Sequence, residues 1–372
     1  MMKNLLLAGA AAVAVAATAG AASAQSKFEV RLGGDALFMA GFTDQKLDNG
    51  LRSSEFYDRF RLNIVAAAKA DNGLEYGGRI RLRSTGGRGN NATDTDRAYI
   101  FVGGGFGQVT LGTHAGVSDE YGVIGPVVDF GGGILGGYDG FWSTFLAGSN
   151  TGDNELPVAM GYLRTAGSSD SSSRITYVSP EFAGLKLAAS YATKLESSGT
   201  NVSRAKNDGS VQDLYEVGLL YSREFSGLSV AGSVFYSGGE ISSVGVEDVN
   251  SWAAGLQFGY AGFKFGGFYA NHGDTGYTSA DRFKEDQVAW GLSGSYETGP
   301  VTLGLAYSNY QDAGDTTTAA DRQLDLFQVT VNYALAPGLT VGAEWSHFDL
   351  DTETAANDDR GDVFVLQSVL VF

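Results

Sequence analysis

From Lys27 onward the chain is a succession of segments, each of roughly ten residues, in which apolar and polar positions alternate and which end at Gly, Asn, Asp, Ser or Pro. Side chains two apart share one face of a strand. Trp252, Ala254, Leu256, Phe258 and Tyr260 therefore lie together, and Leu339, Val341, Ala343 and Trp345 alternate with Thr340, Gly342, Glu344 and Ser346. One face is apolar and the other is polar or glycine.

The segments count to sixteen strands. The first begins near Lys27, the second spans Glu55 to Lys69, and Asp71-Asn72-Gly73 turns the chain into a third from Leu74 to Ser84. The fourth begins near Asp96, the fifth covers Gln108 to Thr113, and the sixth, after a long excursion, covers Arg174 to Ser179. Later pairs turn tightly at Glu181 to Gly184, Phe225 to Gly227, Ala261-Gly262, Thr298 to Pro300 and Ala336 to Gly338, whereas the intervening loops are long and polar. Short turns on one side and long loops on the other are what a barrel crossing an outer membrane shows.

A soluble β-sandwich also alternates, but it packs its apolar faces against each other. Here Tyr191, Tyr215, Tyr221, Tyr260, Tyr307 and Tyr333 stand toward strand ends, as suits aromatic girdles at two lipid–water boundaries. The predicted fold is thus all-β, a transmembrane antiparallel barrel of sixteen strands. That number leaves an aqueous channel, where eight strands would be filled by their own side chains.

Composition narrows the picture. The 54 Gly, 18 Tyr and 22 Phe against 5 Pro fit strands and turns, and helical periodicity is nowhere sustained. Lys3, the apolar run from Leu5 to about Ala19 and the triplet Ala22-Ser23-Ala24 predict a secretory signal over residues 1–24, leaving 25–372 as the barrel domain. No later stretch approaches the ~18 to 20 consecutive apolar residues of a membrane helix. A net charge of −17 makes nucleic acid a poor partner. Without cysteine there is no disulfide stapling or thiol chemistry.

Three local features resemble the Gram-negative general porins, over essentially the whole chain after the signal. Arg97-Ala98-Tyr99-Ile100-Phe101-Val102-Gly103 followed by Phe106-Gly107-Gln108-Val109-Thr110-Leu111-Gly112 looks like that family's fourth and fifth strands with their glycine turn. Asp129-Phe130-Gly131-Gly132 is similar to the tip of the family's constriction loop. Phe372, following Phe364, Leu366 and Leu370 on one face, looks like the terminal aromatic strand read as an assembly signal. The chain departs from the family at Thr113-His114, where an arginine is common, and Ser368 leaves the facing of the last strand open, because Val363, Val365, Val369 and Val371 make its other face apolar too. The resemblance implies a homotrimer in outer-membrane lipid and lipopolysaccharide, passing ions and small hydrophilic solutes by passive diffusion.

Basic residues fall in rows. Arg79, Arg81 and Arg83 share a face with Glu75; Arg59 and Arg61 share one with Asn63; Arg31 and Arg97 extend the row onto neighbouring strands. Facing lipid, each would cost roughly 2 to 4 kcal/mol near the midplane, so the predicted position is the water-lined wall. The segment from about 114 to 173 lacks strand alternation and far exceeds the ~12 to 15 residues of ordinary loops. It is expected to fold into the barrel, with Asp129 and Asp139, joined by Asp119 and Glu120, as the acidic side of a constriction. Opposed charges across a narrow aqueous gap orient water and penalise apolar solutes.

Catalytic motifs do not emerge. Gly131 to Gly136 matches GxGxxG without the strand–helix context that gives it meaning, P-loop, HExxH and GxSxG are absent, and His114, His272 and His347 are far apart in sequence. A barrel hydrolase would need a Ser/His pair made by the fold alone. Asp349, Asp351, Glu353, Asp358 and Asp359 offer oxygens that suit Ca2+, but a solvated loop accounts for them, and no metal or other cofactor is required. The expected function is an outer-membrane porin rather than an enzyme. A solute-specific outer-membrane channel and a secreted soluble all-β adhesin or glycan-binding protein are the alternatives.

Overall fold

The structure is a computed structural model that describes residues 27–48, 50–84, 93–126, 129–130, 133–134, 141–146, 156–157, 164–168, 171–195, 202, 204–206, 208–314, 316–319 and 321–372. The predicted signal lies outside them. Among the described residues sixteen strands form a closed antiparallel barrel. They are β1 (Glu29–Gln45), β2 (Ser54–Lys69), β3 (Glu75–Ser84), β4 (Thr93–Gly104), β5 (Gly107–His114), β6 (Ser172–Val178), β7 (Leu185–Lys194) and β8 (Val211–Phe225). There follow β9 (Leu228–Ile241), β10 (Val249–Tyr260), β11 (Phe263–Asn271), β12 (Val288–Thr298), β13 (Val301–Asp312), β14 (Arg322–Ala336), β15 (Leu339–Asp351) and β16 (Asp359–Val371).

Each strand pairs with the next, and β1 closes on β16 in a register running from Asp35↔Val371 to Gln45↔Gly361. Closure supplies every wall strand with two hydrogen-bonding neighbours, which lipid demands because it offers the backbone no partners. Gly34 and Phe372 exchange both backbone hydrogen bonds at the seam. The tight turns follow from backbone chirality. Ser226 and Gly227 take φ of 50° and 88°, and Ala261 and Gly262 take 50° and 85°, so both central residues are left-handed and the turn matches the twist of its strands.

The outer face is apolar with two aromatic rows. Tyr260, Phe263 and Tyr333 are exposed near the short-turn end. Nearer the long-loop end the ring pairs Tyr215–Tyr236, Trp252–Tyr269, Trp290–Tyr307 and Phe327–Trp345 run around the wall. Trp252 and Tyr260 are eight residues apart on β10. At ~3.4 Å per residue and ~40° tilt that is roughly 20 Å, comparable with the ~25 Å apolar band of outer-membrane barrels.

Two strands differ from the pattern reading. β4 begins at Thr93, ahead of the expected Asp96, because its register against β3 shifts between Arg81 and Leu82. Such a bulge sets two successive residues opposite one and breaks the alternation by which strands are recognised. On β16 the facing resolves: Val363, Val365 and Val369 are buried inside, and Phe364, Leu366 and Leu370 are exposed outside.

Between β5 and β6 lie the short helix α1 (Val117–Tyr121), a two-residue ladder pairing Asp129 with Ile134, and a 3-10 turn at Phe141–Phe145. Its described residues contact inward-facing wall positions. Val123 N donates to Ser233 Oγ (2.8 Å), Ala166 N to Ser251 Oγ (3.0 Å), and the Phe145 carbonyl accepts from Thr43 Oγ1 (3.0 Å).

Candidate functional site

The inner face of β1 to β4 is a wall of guanidinium groups. Alternation aims Arg59 and Arg61 inward from β2, and Arg79, Arg81 and Arg83 inward from β3. The β4 bulge turns both Asp96 and Arg97 to the same side, opposite Arg81. Arg61 Nε lies 2.8 Å and Arg59 Nη2 3.2 Å from the two oxygens of Asp35. Arg81 binds Asp96 in a two-pronged pair, and Arg83 binds Asp94 through Nε at 3.0 Å and Nη2 at 2.6 Å. Parallel N–H···O contacts of this kind fix a guanidinium plane as well as its charge.

Arg79 differs. Its Nε and Nη2 donate to Asn63 Oδ1 at 3.0 and 2.7 Å and its Nη1 to Tyr99 Oη at 3.4 Å, all neutral acceptors. Arg97 Nη1 donates to the Asp96 carbonyl (2.9 Å) and to Ser171 Oγ (2.6 Å). Four of the six guanidinium groups are thus paired with the three carboxylates Asp35, Asp94 and Asp96, and Arg79 and Arg97 rest on neutral acceptors. Arg31 does not join them: its side chain is 67% exposed, beside Glu29 on the part of β1 that extends past the seam with β16.

On the adjoining wall, β14 to β16 and β1, the half of the inner face nearer the long loops is apolar. Met39, Leu324, Leu326, Phe348, Val363 and Val365 are fully buried there, and the indole of Trp142 packs among them with its ring 5.4 Å from that of Phe348. Gly41 makes room, because a Cβ there would lie 2.3 Å from the Phe145 ring. Hydrophobic side chains inside the barrel are thus covered by described residues of the loop, Trp142, Phe145 and Leu146 among them.

The predicted acids are only partly placed. Asp119 on α1 faces Arg164 at 3.4 Å, and Glu120 lines a small cavity of about 40 Å³ together with Arg97, Tyr99, Thr110, His114 and Thr176. Asp129 sits in the two-residue ladder with its side chain outside the described residues, and Asp139 lies outside them altogether. The wall acids Asp35, Asp94 and Asp96 were not singled out from sequence. Asp35 carries a legible signal, since it falls in phase with inward Leu37 and Met39; Asp96 does not, because the bulge hides its face.

Among the described residues the fold does bring one serine to a histidine: Ser251 Oγ lies 2.7 Å from His272 Nδ1. Both are fully buried, and the same Oγ accepts the Ala166 amide at 3.0 Å, so this pair ties the loop to the wall and offers no face to a substrate. Near the rim, Asp359 accepts from Gln45 Nε2 (2.7 Å) and Leu47 N (2.9 Å), and Asp358 accepts from Thr352 N (2.9 Å). These acids order loop backbone. Among the described residues no three acidic or histidine side chains converge as a metal site.

A family model described as Gram-negative porin matches residues 10–353. The chain is 23% identical to an uncharacterized protein of Rickettsia conorii over 452 aligned positions, covering 100% of each. In fold it is similar to the Salmonella typhi OmpF complex with daunomycin, with a TM-score of 0.67 at 14% identity over 92% of this chain and 97% of that one. It is also similar to the anion-selective porin from Comamonas acidovorans, with a TM-score of 0.64 at 15% identity over 93% and 100%. The trimer form of OmpT from Vibrio cholerae gives a TM-score of 0.60 at 14% identity over 93% and 99%.

Proposed function

The chain belongs to the Gram-negative porin family and is an outer-membrane porin, a water-filled channel for passive diffusion; we propose that its opening is bounded by the β2–β4 arginine wall on one side and by the loop between β5 and β6 on the other. The observation that carries this reading is the division of the inner face: guanidinium groups on one wall, and a loop seated by Trp142 on the other. Asp119, Glu120, Asp129 and Asp139 supply the acidic side of the opening, and Arg59, Arg61, Arg79, Arg81, Arg83 and Arg97 the basic side. Phe372 is the assembly signal, and its ring packs 5.8 Å from that of Phe60 on the outer face.

A field directed across the lumen orders water and raises the barrier to apolar solutes, so small hydrophilic solutes and ions pass down their gradients. The protein works as a homotrimer in contact with lipid and lipopolysaccharide; the trimer form of OmpT from Vibrio cholerae supports the first part of that reading. It performs no reaction and requires no cofactor, and the loop carboxylates act through their backbone contacts.

The test is single-channel conductance of detergent-extracted protein in a planar bilayer, beside Asp129→Asn/Asp139→Asn. Large ohmic steps in groups of three, unchanged by chelation, with ion selectivity moved toward anions in the variant, are the expected result. Steps of wild-type selectivity would remove those two acids from the opening.

A further inference from the structure

We propose that Glu216 and Arg174 form a latch that holds both roots of the loop against the barrel wall and thereby sets the width and steadiness of the opening; this rests on the pore reading above. Glu216 points inward from β8 and Arg174 from β6, and neither side chain is exposed at all. Arg174 Nη1 lies 3.2 Å from Glu216 Oε2, while its Nη2 donates to the Gly167 carbonyl at 2.7 Å. Glu216 in turn accepts from Val117 N at 3.1 Å, from Thr165 Oγ1 at 3.3 Å and from Ser190 Oγ on β7. One ion pair therefore grips the outgoing root of the loop at Val117, its returning root at Thr165 and Gly167, and the wall.

The two roots are also joined to each other. Gly116 N donates to the Ser168 carbonyl (2.7 Å), Asp119 N to Ser168 Oγ (2.6 Å) and Thr165 N to Ser118 Oγ (3.1 Å). Gly116 has no alternative, because a Cβ there would lie 1.9 Å from Glu216 Oε2. Replacing a buried ion pair by apolar side chains is often neutral or stabilising, so the role assigned to this pair is specificity of position and not net stability. Here the specified position is that of a loop that would otherwise have several ways to lie inside a wide barrel. Because the pair is sealed from water, it does not itself meet permeating ions. Any effect on permeation must pass through the loop.

The test compares wild type, the charge-neutral double variant Glu216→Met/Arg174→Met and the milder Thr165→Val in planar bilayers. The double variant removes both charges together and so leaves no unpaired buried ion; Thr165→Val keeps the pair and deletes one tie. The expected result is a unit conductance raised about 1.5-fold or more in the double variant, with weaker ion selectivity. Thr165→Val should show frequent brief current transitions at nearly unchanged mean conductance. Conducting variants with wild-type conductance, selectivity and current noise would overturn the latch alone. A folded wild type that never conducts would overturn the pore reading and the latch with it.

Discussion

The two inner walls of this barrel are built from the same alternation and carry opposite chemistry. On β2 to β4 the inward positions are arginines braced by Asp35, Asp94 and Asp96; on β14 to β16 and β1 they are Leu326, Phe348, Val365 and Met39. The guanidinium wall is stable because water and paired carboxylates solvate it. The apolar wall is stable because the loop covers it. In the opening proposed above the lumen is narrowed from the apolar side, and the charge that meets a solute is presented from the arginine wall beside it. Shape and field come from different strands, and substitutions should separate them.

The largest effect is expected at Trp142, the largest fully buried side chain among the described residues, which seats the 3-10 turn on the apolar wall. Trp142→Ala deletes a fully buried indole, a change that typically costs ~3 to 5 kcal/mol when the site cannot collapse. That cost falls on loop docking and not on the hydrogen-bonded barrel. The variant should keep its barrel, gain conductance and become cleavable by protease within residues 141–146. A protected loop at wild-type conductance would show that the apolar wall does not hold it.

A smaller effect distinguishes arginines within the other wall. Arg79→Gln and Arg81→Gln each remove one positive charge, and both should shift reversal potentials toward cation preference. They should differ in stability. Arg79 leaves behind only the neutral Asn63 and Tyr99, a loss of about 1 kcal/mol or less, whereas Arg81 strips Asp96 of its two-pronged donor at a cost of about 1 to 3 kcal/mol. Thermal unfolding in detergent reads the difference. Equal stabilities would mean that Asp96 finds its full partner in Arg83, whose Nη1 lies 3.5 Å away.

Much of the fold was legible in the sequence because the period of two is a consequence of strand geometry, and a lipid-facing surface tolerates few exceptions to it. The strand count, the tight turns and the inward arginines follow from that pattern alone. The loop was legible only by contrast, as the stretch where alternation stops. What could not be read was how the charges pair. Asp96 owes its inward position to a bulge, and Glu216 and Arg174 lie 42 residues apart, so only the closed barrel brings them together. Nor does a periodic pattern say which inward residues a loop will cover: Val363 and Val365 read equally well as lipid-facing until Trp142 and Met39 are seen beside them.

The finest test of the comparison asks whether burial alone seats the loop on the apolar wall. Thr43 supplies a polar tie there, its Oγ1 donating to the Phe145 carbonyl at 3.0 Å. Valine has nearly the same shape, so Thr43→Val removes that donor without opening a cavity. The expected cost is about 1 kcal/mol of loop docking, the net worth of one such bond. Since Trp142 and Phe348 still anchor the turn, mean conductance should stay at the wild-type level. The change should instead appear as faster hydrogen exchange at the amides of residues 143–146. A conductance as high as that of Trp142→Ala would mean that the loop hangs on this hydrogen bond, and that the apolar wall merely accommodates it.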